Sequence, residues 1–113
     1  SILEESSSVL APYFAASLAS LVDHPVVGEV RCQGLVAAVE LVADKASRER
    51  LAPESAGAVY TRDRAIENGL MVRQTGDAMI MSPPFVTSKA EIDALVSKLT
   101  GALDKTAAFY GLN

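Results

Sequence analysis

The chain has 113 residues, half of them apolar and few aromatic, with a formal net charge of −4. That length suits one domain around one core of Ala, Val, Leu, Ile and Met. The acidic balance argues against nucleic acid as the main partner, because phosphate binding needs clustered Lys and Arg. The single cysteine, Cys32, excludes a disulfide framework and fits a reducing, cytoplasmic compartment.

No apolar run is long enough to span a bilayer, and no basic segment followed by an apolar one forms a signal peptide. The chain begins at Ser1 rather than methionine and enters helix-like sequence at once, so processing or a fragment is expected.

The first element reads as a helix from Ile2 to about Val22, with Leu3, Leu10, Phe14, Leu18 and Leu21 on one face. Pro12 interrupts it. Either the helix kinks there, or a new helix starts near Ala11 with Pro12 in its first turn. Asp23-His24-Pro25 ends the segment, since the residue before a proline avoids helical geometry.

Val26 to Val42 then alternates with period two. Val26, Gly28, Val30 and Cys32 form one set, and Leu35, Ala37, Val39 and Leu41 another. Gln33-Gly34 lies between them, and Gly34 supplies the positive φ of a hairpin turn. Ala43 to Ser55 is polar and reads as a surface loop. Helix resumes from Ser55 to Asn68, with Val59, Tyr60 and Ile66 offered to the core, and Asn68-Gly69 as its stop.

Leu70 to Arg73 and Ala78 to Ser82 read as a second strand pair around Gln74 to Asp77, closed by Pro83-Pro84. The last helix, from about Lys89 to Phe109, starts on a capping box of Ser88 and Glu91. Its apolar stripe is Ile92, Leu95, Val96, Leu99, Leu103 and Phe109. The order α-β-β-α-β-β-α fits an α+β, two-layer fold: a small antiparallel sheet of about four strands with helices on one face. One sheet face then stays open, which would suit docking on a larger partner.

Chemistry is sparse. His24 reads as a loop residue, Cys32 as a small buried hydrophobe, and together they make no metal set. The glycines form no phosphate-cradling loop. Lys45, Lys89, Lys98 and Lys105 lie in polar loops or on helix polar faces, where no desolvated pocket would make one a Schiff-base lysine. No catalytic residue is assigned. Glu40, inside the apolar "AAVELV", either faces solvent or pairs with a base such as Arg31, and the pair is favoured.

Arg73 stands out by elimination. It sits between an apolar run and a turn, where function concentrates, and its planar fork matches a carboxylate. Pattern alone favours a structural ion pair for it, with Asp77 as partner.

"VGEVRCQGLVAAVELVADK" (Val27 to Lys45) and "ENGLMVRQTGDAMIMSPPFVTSKAEIDALVSKLTGAL" (Glu67 to Leu103) resemble the C-terminal small domain of class III pyridoxal-phosphate-dependent aminotransferases. The ordered set is a Gly-Glu-Val-Arg strand, a Gly-Leu turn, a strand ending in Glu-Leu, an arginine strand, a Gly-Asp turn, a Pro-Pro stop and a helix with an acidic start. The resemblance covers about Val26 to Leu103 and looks closest to the ω-transaminases.

It implies the small domain of a fold-type I enzyme that moves amino groups between an amine or ω-amino acid and a keto acid such as pyruvate. It further implies that Arg73 grips the substrate carboxylate and swings away for uncharged substrates. The catalytic lysine and the cofactor-binding residues of that family belong to a large domain that these residues lack. Residues 1–113 are therefore expected to be a single domain of a longer, homodimeric or homotetrameric enzyme. The chain alone is expected to hold no pyridoxal phosphate and to be inactive. Two other readings stay open: a stand-alone module that binds small carboxylates or regulates, and a structural domain that pairs through its open sheet face.

Overall fold

The computed structural model describes residues 10–34, 36–47, 49, 51, 56–70, 72–81 and 88–112. The expected start of the first helix, Leu35, Ser55 and the Pro83-Pro84 stop lie outside these residues.

Helix α1 spans Ala11–Ala19, and Pro12 sits in its first turn. There its missing N–H costs nothing, because the first helical N–H groups have no intrahelical partner. Of the two options for Pro12, the chain takes the second. A 3-10 turn, Ser20–Asp23, follows, and His24 is extended (φ −70°, ψ 140°) ahead of Pro25.

Strands β1 (Val27–Gln33) and β2 (Val36–Leu41) form the expected hairpin, with Gly34 at φ 61° in the turn. The register slips between Val27 and Glu29, so one strand gains a residue. That bulge breaks the simple alternation. Buried Val27 and the partly buried Val30 and Cys32 all pack into the core, although they are not in phase. Gly28 lies within the bulge, where a Cβ would come 2.6 Å from Val42 Cγ1.

Helix α2 (Ala56–Glu67) ends at Gly69, φ 83°. Its buried residues are Gly57, Ala58, Thr61 and Ala65, whereas Ile66 is exposed. The core face is the small-residue one: α2 packs against α3 (Lys89–Tyr110), and Thr61 meets Thr106 between them. Small residues on both sides let two backbones approach, and bulkier side chains are turned outward. Phe109 is likewise 65% exposed and stacks on Tyr60 instead of entering the core.

Strand β3 is only Arg73–Thr75 and pairs with β4 (Ala78–Met81) across Gly76, φ 56°. Arg73 therefore opens its strand rather than ending one. Leu70 and Val72 precede the strand and fill the core without joining the sheet. The capping box is present: Ser88 Oγ accepts from the Glu91 N–H at 3.2 Å.

The sheet is four-stranded and antiparallel, with order β1-β2-β4-β3. One face carries Ala37, Val39, Leu41, Met79 and Met81 against the helices, with Phe14, Leu18, Ile92, Leu99 and Leu103 above them. This is the α+β two-layer fold expected, and no described helix packs on the second sheet face.

Candidate functional site

The register decides which side chains share the open face, because residues directly opposite in an antiparallel pair point the same way. Arg31 pairs with Ala38, Ala38 with Ile80, and Ile80 with Arg73. A single row thus crosses all strands, with an arginine at each edge. The neighbouring row is Glu29, Glu40, Ala78 and Thr75. Beside the first row a hollow of about 370 Å³ opens, lined by Arg31, Val36, Ala38 and Ile80 among others.

The two arginines differ in their surroundings. Arg31 Nη1 lies 2.9 Å from Glu29 Oε2 and 3.7 Å from Glu40 Oε2. The expected pair with Glu40 forms, and a closer one with Glu29 joins it. Arg73 is exposed and makes no ion pair or side-chain hydrogen bond among the described residues. The pair with Asp77 that pattern favours is absent. The register sets Ile80, not Asp77, across from Arg73, while Asp77 holds the turn by accepting the Leu41 N–H through its carbonyl at 2.9 Å. An exposed guanidinium with apolar neighbours can take a carboxylate in two parallel charge-assisted hydrogen bonds.

His24 has a fixed place that sequence did not reveal. Its Nε2 is 2.8 Å from Asp104 Oδ1, and its Nδ1 accepts the Val26 N–H at 3.3 Å. In the neutral ring the proton therefore sits on Nε2 and is donated to Asp104. Asp104 is eighty positions away, so no local pattern could show the pair. The pair borders a hollow of about 290 Å³ and ties the loop after α1 to α3. Cys32 is half-buried on the sheet, and burial pushes its thiol up from the usual range. Among the described residues no group of three His, Cys, Asp or Glu could hold a metal ion.

The lysines are spoken for or wet. Lys45 Nζ donates to the carbonyls of Val22 and His24. Lys89 Nζ lies 5.2 Å from the centre of the Tyr13 ring. Lys98 and Lys105 are exposed on α3. A lysine that condenses with a carbonyl works from a desolvated pocket, and all four of these are exposed.

The described residues form a two-layer α+β unit whose exposed Arg73 pairs with no acid among them. Comparison with known proteins identifies its relatives. The sequence matches the family Aminotransferase class-III over residues 2–103. It is 43% identical over 107 residues to a putrescine–pyruvate aminotransferase of Pseudomonas aeruginosa, covering 95% of this chain and 23% of that protein. It is 35% identical over 97 residues to gamma aminobutyrate transaminase 1, mitochondrial, of Solanum lycopersicum, covering 86% of this chain and 19% of that one.

Among solved structures, the omega transaminase from Pseudomonas jessenii in complex with PMP superposes with a TM-score of 0.87 at 34% identity, over 95% of this chain and 24% of that one. The PMP-bound aminotransferase from Vibrio fluvialis gives 0.85 at 33%, over 92% and 23%. The chain belongs to the class III aminotransferase family. It spans less than a quarter of the length of these curated relatives.

Proposed function

We propose that residues 1–113 are the C-terminal small domain of a longer class III aminotransferase, and that Arg73 binds the carboxylate of its keto-acid substrate. Pyruvate is the acceptor of choice, in keeping with the name of the Pseudomonas aeruginosa relative. An amine or ω-amino acid is the donor, in keeping with the putrescine and gamma-aminobutyrate named for the relatives. Pyridoxal phosphate would be held by the rest of the polypeptide, where it would supply the electron sink for amino transfer. The whole enzyme is read as a cytoplasmic homodimer or homotetramer.

The observation that carries the reading is the contrast along one row of the sheet. Arg31 is neutralised by two carboxylates, while Arg73 meets none among the described residues. Leaving a guanidinium unpaired gains nothing for the domain itself. A substrate carboxylate gives it a partner.

The test is Arg73→Ala in the full-length enzyme that carries these residues. A hydrogen-bonded charge contact contributes about 1.5–3 kcal/mol, so kcat/KM for pyruvate should fall roughly 10- to 150-fold. An uncharged aldehyde acceptor should be turned over as before. Unchanged kinetics with pyruvate would remove Arg73 from the site. Titration calorimetry of the 113-residue chain with pyruvate separates the stand-alone binding module, which predicts saturable heat without any other domain.

A further inference from the structure

The two rows of the open face place equivalent neighbours around each arginine: an apolar residue stands directly opposite both, Ala38 and Ile80, but the two flanking positions that hold acids beside Arg31 hold none beside Arg73. Around Arg31, the neighbour two residues away on its own strand is Glu29, and the diagonal neighbour on the adjacent strand is Glu40. Around Arg73, the corresponding positions hold Thr75 and Ala78, because Thr75, Ala78, Glu40 and Glu29 form one continuous row. Directly opposite Arg73 stands Ile80, partly buried, where a long polar side chain would reach the guanidinium most easily.

We propose that Thr75, Ala78 and Ile80 are specificity-determining residues: by denying Arg73 an internal carboxylate, they keep it available for a substrate carboxylate and set the preference for carboxylated over uncharged acceptors. This rests on the reading of Arg73 as the anchor. None of the three touches the substrate in this account. They act by what they withhold. The geometry of the competing pair is on the same sheet: Glu29, two positions from Arg31, reaches it at 2.9 Å. An acid at position 75 would stand on β3 in the row that Glu29 occupies on β1.

The experiment is Thr75→Glu in the full-length enzyme, with Thr75→Gln as the neutral variant of equal shape. Thr75 is exposed beside the turn, so both substitutions leave the core alone. An exposed ion pair contributes about 0.2–1 kcal/mol. The internal acid then competes with substrate, and KM for pyruvate should rise by up to about five-fold with kcat held. Kinetics with an uncharged aldehyde should not change, Thr75→Gln should match the parent, and the effect of Thr75→Glu should vanish in an Arg73→Ala background.

The inference is overturned if Thr75→Glu leaves KM for pyruvate unchanged while Arg73→Ala raises it. It is equally overturned if Thr75→Gln raises KM as much as Thr75→Glu. If Arg73→Ala itself changes nothing, the anchor reading fails first and this one with it.

Discussion

Thr61 and Thr106 face each other in the middle of the α2–α3 contact, both fully buried, with hydroxyl oxygens 2.5 Å apart. Each also lies within reach of a carbonyl one turn back, Gly57 and Ala102. Two hydroxyls have two protons, so of these three contacts only two are made at a time. Thr106→Val removes one hydroxyl and leaves Thr61 free to donate to Gly57. The expected cost is about 1 kcal/mol, and adding Thr61→Val should cost less than the first change, because the shared bond is already gone. Thermal unfolding of the single and double variants measures this. Gly57 is less forgiving. A Cβ there would lie 2.9 Å from Leu51 Cβ, so Gly57→Ala should destabilise by about 1–3 kcal/mol.

Elements are fastened to one another by contacts far apart in sequence. Tyr13 on α1 donates its hydroxyl to Asp93 Oδ1 on α3 at 2.5 Å. That bond, with a smaller contribution from desolvation and the Asp93 charge, raises the Tyr13 phenol above its ordinary 10.0. The phenol must be protonated to donate. Its contribution is therefore complete below the ordinary pKa and is lost as pH rises through the higher folded value. Alkaline spectrophotometric titration should show Tyr13 ionising above the ordinary phenol range, and Asp93→Ala should lower it toward that range.

Such pairs explain why part of the architecture was hidden. Helix and strand boundaries were readable wherever a local rule set them: Pro12 in a first turn, Gly34 and Gly69 at positive φ, Ser88 and Glu91 at a helix start. The core faces of α2 and the end of α3 were not. Period alone nominates the largest apolar residues, Ile66 and Phe109, whereas helix contact selects Ala58, Ala65 and Ala107.

At the level of the molecule, β4 inserts between β2 and β3, so the central strands β2 and β4 come from different hairpins. Amide hydrogen exchange should follow that order. Val39 and Met79 amides, in the two inner strands, should exchange slowest, and the three-residue β3 should exchange well before them. Exchange of β3 as slow as β2 would contradict the sheet order. Arg73 was visible in the sequence as an isolated charge in an apolar stretch, and the family resemblance suggests the role proposed for it. The balance between Arg31 and Arg73 was not visible, because it exists only once the register brings four strands into one row.

Both arginines of that row stand on edge strands, where unpaired backbone N–H and C=O groups invite another chain to add on. Charge on an edge strand discourages such growth, and so do the bulge in β1 and the brevity of β3. On the proposed reading, Arg73 puts charge on one flank of the sheet as well as offering a carboxylate grip. Removing it with alanine strips both functions at once, so aggregation could be mistaken for lost binding. Arg73→Lys separates them: the lysine keeps the flank charged and the protein dispersed, while the two-pronged grip on a carboxylate is gone.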